Sequence, residues 1–240
     1  MEETNKSMAG GVAIIAAIIG VIVGYGVGAI RADQKAGDKM AADQGKTALV
    51  KEEPPEKPAP LTDTAAANLR VLLNAIERQH VNLASPAVRN GFDGRSDFAA
   101  VAKALDANSV ELSKAVGSVY GADAEARFLE IWRSHIGFFV DYTLAAKKGD
   151  KAGMDKAVQN LNGYVEGVAD FLSKANPNLP REAVKSLVAE HVTLLKGAVD
   201  AYGAKDYAKS YDEQAKADKQ IGTIADALAG AIVKQYPDKF

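Results

Sequence analysis

The chain has 240 residues, a formal net charge of −2, three histidines and no cysteine. With 29 Lys and Arg against 31 Asp and Glu, the near-neutral balance argues against a nucleic-acid protein held by a basic face. The lack of cysteine excludes a disulfide framework, thiolate metal sites, iron–sulfur clusters and cysteine catalysis, and three histidines cap imidazole chemistry at three groups.

The first element is apolar. Between Lys6 and Arg31 lie 24 residues without a charge, rich in Val, Ile, Ala and Gly. A helix needs about 20 such residues to cross a bilayer, so residues 1–30 are expected to form a transmembrane anchor that contacts the membrane through residues 9–30. A cleaved signal peptide is the rival reading, with Val27 and Ala29 as small residues before a cut. Ala16, Gly20, Gly24 and Gly28 recur every four residues, a spacing that lets a second helix approach and would support a homo-oligomer. Arg31, Lys35, Lys39 and Lys46 follow the segment, and by the positive-inside rule they pull the C-terminal side inward. The anchor-plus-stalk layout points the other way, and an extracytoplasmic domain is the expectation.

Residues 31–63 read as a linker. Pro54, Pro55, Pro58 and Pro60 stand among charged residues, a composition that favours extended chain and buries too little to fold.

Residues 64–240 read as an all-α domain. Apolar residues recur at three- and four-residue intervals, with no sustained alternation. The histidines are His80, His135 and His191, separated by 55 and 56 residues. Apolar residues precede each by seven (Leu73, Phe128, Val184) and by four (Ile76, Ile131, Leu187), and follow each by three (Leu83, Phe138, Leu194). These offsets share one helix face, so each histidine lies inside an apolar stripe.

A second helix is expected after each first one. Glycines at Gly91–Gly94, Gly149 and Gly203 mark the turns, and Asp97, Asp150 and Asp206 can cap the restarts. Short connections make antiparallel hairpins. The predicted architecture is therefore a bundle of three antiparallel hairpins with a repeat of about 55 residues. Ala175–Pro180, with two prolines, breaks hairpin two from hairpin three.

Asn108, Asn162 and Asp218 follow their respective histidines by 28, 27 and 27 residues. A carboxamide or carboxylate accepting from one ring nitrogen fixes the tautomer of an imidazole. If the hairpins surround a pseudo-threefold axis, His80, His135 and His191 converge into a three-nitrogen metal site for zinc or copper, with the other three residues behind them. If the hairpins are arrayed side by side, the rings lie about ten ångströms or more apart. Isolated, structurally satisfied histidines are the commoner arrangement.

Trp132, Phe138, Phe139 and Tyr142 surround His135 on its helix, a pattern usual in cores; a planar cofactor such as haem is a less common reading of it. Glu77 and His80 have the i, i+3 spacing of di-iron bundles, but that spacing occurs once where two are needed. No hydrolase triad or phosphate loop is present, so no catalytic residue is assigned.

Ala104–Asn108, Gly117–Gly121, Ile131–Tyr142 and Ala231–Phe240 together resemble a family of secreted bacterial all-helical domains often labelled copper amine oxidase-like. The resemblance covers most of residues 64–240, and the segment around His135 is its most specific part. It implies an extracytoplasmic helical domain with recurrent histidines at His80, His135 and His191. The family pattern has a further histidine in the last helix, where this chain has Gln220. Copper amine oxidases themselves use a tyrosine-derived quinone on a β-rich domain, so the label speaks for location more than for oxidase activity.

The sequence thus leads to a membrane-anchored extracytoplasmic binding or interaction module, with copper or zinc as the candidate ion. A structural surface protein assembling through its anchor is the alternative, and an oxidoreductase ranks last.

Overall fold

The three- and four-residue apolar spacing becomes six long helices in a computed structural model that describes Leu61–Phe240. They are α1 (Ala65–Asp93), α2 (Phe98–Tyr120), α3 (Ala122–Lys148), α4 (Lys151–Ala175), α5 (Arg181–Gly203) and α6 (Tyr207–Gln235), followed by a short 3₁₀ turn at Pro237–Lys239. No strand occurs among the described residues. The expected anchor, its Gly20, Gly24 and Gly28 stripe, and residues 31–60 of the linker lie outside the described residues. Among those described, no helix is long and apolar enough to cross a membrane.

Local chemistry sets the boundaries. Asp150 accepts a hydrogen bond from the Gly153 amide at 3.0 Å, and Asp206 accepts one from the Lys209 amide at 3.1 Å. Both are side-chain caps on otherwise orphaned first-turn donors. Asp97 stands at the start of α2 but caps nothing; its carboxylate pairs instead with Arg95 at 3.1 Å. Gly149 closes α3 at φ +68°, a left-handed conformation that favours glycine. The turn after α5 takes its positive φ at Lys205 rather than at Gly203.

Consecutive helices run antiparallel, which their contacts make explicit. Leu187 and His191 on α5 reach Gln220 on α6, while Ala198, later in α5, meets the earlier Ser210. On α1 and α2, Ile76 meets Asn108 and Gly91 meets Phe98. On α3 and α4, His135 stacks on Tyr164 and Ala145 approaches Gly153. The last helix returns beside the first, with Arg70 on Asp226 and Arg78 on Asp218. Helices α3 and α5 also touch directly.

The apolar stripes meet in the interior. Leu161, Val165, Val168, Val188, Leu195 and Ile221 form one buried cluster. Leu69, Leu73, Leu112, Phe128, Trp132 and Ile232 form another. Each such side chain contributes roughly 1.5–3 kcal/mol when fully buried. The polar residues that follow are held between these two clusters.

Candidate functional site

His80, His135 and His191 come from α1, α3 and α5 and are all buried. Their place inside the apolar stripes, read from the −7, −4 and +3 offsets, is the reason. Two of them meet: Nε2 of His80 faces Nε2 of His135 at 3.4 Å. His191 lies within electrostatic reach of both rings. The arrangement is therefore not the commoner one of isolated histidines. Nor is it a closed trio, since among the described residues no three His, Asp or Glu groups already stand at metal-binding spacing.

The surroundings fix the tautomers. Gln220 donates from Nε2 to the Leu187 carbonyl at 2.7 Å, so its Oε1, 3.1 Å from His191 Nδ1, is an acceptor. The proton of His191 therefore sits on Nδ1, and Nε2 is left bare, without a partner. Asn108 is oriented in the same way. Its Nδ2 donates to the Ile76 carbonyl at 3.0 Å and to Gln79 Oε1 at 2.9 Å. Its Oδ1 favours a proton on His80, although neither that oxygen nor His80 Nδ1 completes a hydrogen bond. His80 Nε2 instead faces His135 Nε2, and one of the two can donate to the other. The Trp132 carbonyl likewise favours a proton on His135.

Burial does most of the electrostatic work. Loss of solvation lowers His80 to about 3 and His191 to about 4, and pushes His135 well below its usual range, with the neighbouring rings adding to the fall. All three are neutral at pH 7, the form that binds metal ions. Glu77, one turn before His80, is 1% exposed, and burial raises its carboxyl to about 8. It lines a cavity of about 30 Å³ with Trp132, His135, Tyr164 and His191, large enough for a water molecule.

Six buried side-chain polar atoms of the described residues have no hydrogen-bond partner: Glu77 Oε2, His80 Nδ1, Asn108 Oδ1, Trp132 Nε1, His135 Nδ1 and His191 Nε2. All belong to this cluster. Trp132 itself sits 5.0 Å from the His80 ring and 4.7 Å from the His135 ring, centre to centre. An orphaned buried polar group costs about 1–3 kcal/mol, so six in one place call for a reason.

The residues expected behind the histidines divide. Asn108 is in place. Asn162 is exposed on the outer face of α4, and Asp218 forms a surface ion pair with Arg78 at 2.6 Å. Their positions beside His135 and His191 are taken by Tyr164, stacked at 4.6 Å on the His135 ring, and by Gln220. Two residues along a helix turn a side chain by about 200°, to the opposite face, so the sequence spacing missed by the width of the helix. The internal signal was the match between Asn108 and Gln220: each donates to the carbonyl four residues before its own histidine. Compared with protein-family models, curated proteins and solved structures, the chain matches none.

Proposed function

We propose that the helical unit is a binding module for one transition-metal ion, copper or zinc, held in the bundle interior. His80 and His135 would bind it through Nε2. His191 is the third candidate ligand, and Glu77, protonated at pH 7 when buried, would supply a carboxylate by giving up its proton as the ion binds. One observation carries the reading: the Nε2 atoms of His80 and His135 face each other at 3.4 Å in the bundle interior, and the Nδ1 atoms of both rings are without a partner. Two nitrogens bound tetrahedrally at 2.0–2.1 Å are about 3.4 Å apart. Backing of the second ring nitrogen by an oxygen, as Gln220 Oε1 backs His191 Nδ1, is how metal-ligating histidines are ordinarily held. The bound ion would supply Lewis acidity or, as copper, one-electron redox capacity.

In the same reading the unit is three antiparallel hairpins of about 55 residues around a pseudo-threefold axis, each giving one histidine. The corresponding roles of Asn108 and Gln220 support this. An anchor at residues 1–30 and a stalk at 31–63 would hold the module on the extracytoplasmic side. A structural surface protein with no ligand has less support, because six buried polar atoms around the histidines keep no partner.

Calorimetric titration of the full chain with Zn²⁺ and Cu²⁺ tests the proposal. One ion per chain is expected, weakened at least 100-fold by His80→Ala and by His135→Ala. Absent saturation, or unchanged binding by both variants, sinks it. Reporter fusions at both ends test the orientation, and a cytoplasmic C-terminus would overturn it.

A further inference from the structure

A second cavity, of about 50 Å³, opens between α1, α3 and α5, with His80 and His135 on its wall. Its body is apolar, built from side chains such as Phe98, Leu105, Phe139 and Val199. The mouth is different. Arg89, Tyr202 and Gln214 line it, all half-buried.

Arg89 is held firmly but left electrically unanswered. One N–H donates to Gln214 Oε1 at 2.5 Å, and the guanidinium carbon lies 4.1 Å from the centre of the Tyr211 ring and 5.9 Å from that of Tyr202. The nearby carboxylate of Asp93 accepts instead from the Tyr202 hydroxyl at 2.7 Å. Among the described residues no carboxylate pairs with Arg89, whereas Arg70, Arg78, Arg95, Arg127, Arg133 and Arg181 all have one. A guanidinium has five donors in a planar fork that fits a carboxylate.

We propose that this cavity binds a small amphiphilic carboxylate, its head on Arg89 and its alkyl or aryl body in the apolar interior. A single guanidinium backed by tyrosine faces suits one negative charge. A cationic amphiphile would be repelled at the mouth, and a neutral one would leave the charge unanswered. The inner end of the bound molecule would lie against His80 and His135. The proposal does not depend on metal binding, because Arg89 and the cavity walls exist without it.

The chain's single tryptophan, Trp132, touches both histidines, so its fluorescence reports on the inner end. The full chain, in lipid nanodiscs and free of added metal, is titrated with hexanoate, 1-hexanol and hexylamine. Hexanoate should saturate the signal and bind at least tenfold more tightly than either analogue. Arg89→Met should weaken hexanoate at least tenfold. Ala198→Phe, which fills the cavity wall and leaves Arg89 in place, should abolish the response. The proposal fails if hexanoate does not saturate, if hexanol or hexylamine binds as tightly, or if either variant binds like the wild type. The analogue comparison uses the wild-type chain and so stands even if a variant does not fold.

Discussion

The seams between helices and the interior of the bundle treat polar groups in opposite ways. At the surface, Arg133 meets Asp106 between α2 and α3, Arg181 meets Asp170 and Glu166 between α4 and α5, and Arg78 meets Asp218 between α6 and α1. Every one is paired, a third to a half exposed, and placed where water would have satisfied it anyway. In the interior, Glu77, His80, Asn108, Trp132, His135 and His191 each keep an atom without a partner. Exposed ion pairs are worth about 0–1 kcal/mol, while each buried orphan costs about 1–3 kcal/mol. The fold thus makes its best pairings where they matter least and leaves open those that matter most. On the proposed reading, that inversion is the preorganisation of a ligand site.

The largest effect should appear where the contrast is broken from inside. Replacing the histidines as ligands is expected to cost metal affinity at least 100-fold, as set out above. Gln220→Leu removes the group that orients His191 and should lower metal affinity 10–100-fold, the usual penalty for losing such support. It should also cost about 1–3 kcal/mol in denaturant unfolding, because His191 Nδ1 loses its acceptor. Equal unfolding midpoints for the variant and the wild type would show that the Gln220 contact carries no strain or support.

Acid should unfold the apo protein through the same cluster. The histidines have folded values of about 3 for His80 and about 4 for His191, below the ordinary 6.5, with His135 lower as well. The unfolded chain therefore binds more protons below pH 6.5. Stability is complete above 6.5 and is lost as pH falls, by about 1.4 kcal/mol per pH unit for each histidine. Glu77 acts in the other direction. Its folded value of about 8 exceeds its unfolded 4.5, so its contribution is full below 4.5 and is lost as pH rises through 8. Denaturant midpoints from pH 4 to pH 9 should trace a dome, and Glu77→Gln should flatten its fall between pH 6.5 and 8 and steepen its rise between pH 4.5 and 6.5, where the carboxyl opposes the histidines. A flat acid limb would contradict the burial of neutral imidazoles.

Glu77→Leu sharpens the comparison differently. It replaces an unpartnered buried carboxyl with an apolar side chain of similar size, a change that is often neutral or stabilising. At pH 8 the apo protein should melt at the same or a higher temperature, while metal affinity falls. Loss of stability together with unchanged affinity would make Glu77 a structural group.

Much of this was legible in the sequence. The helical class and the break at Ala175–Pro180 follow from spacing and proline chemistry. So does the inward phase of His80, His135 and His191. The partners were not. Asn162 and Asp218 lie on the right helices but two residues away from Tyr164 and Gln220, and periodicity alone does not fix how far one helix slides along another. Glu77 was visible as an i, i+3 neighbour of His80. It drew no weight because a di-iron site needs that spacing twice, and only packing reveals that its carboxyl is sealed in. The meeting of His80 with His135 depends on how α1 and α3 pack, which no local pattern specifies.

The smallest effect belongs to the seams. Arg133 binds Asp106 through two N–H groups, at 2.6 and 2.8 Å, the geometry that gives a surface pair its best chance of contributing. Both side chains are nevertheless about half exposed, at 45% and 51%, so solvent screens most of the attraction. Arg133→Ala should therefore change unfolding stability by about 0–1 kcal/mol, shrinking as salt is raised, and should leave metal affinity and the pH dome where they were. A loss as large as that of Gln220→Leu would mean that the surface clasp, rather than the interior, holds α2 and α3 in register. The contrast between a satisfied exterior and an unsatisfied centre would then lose its functional meaning.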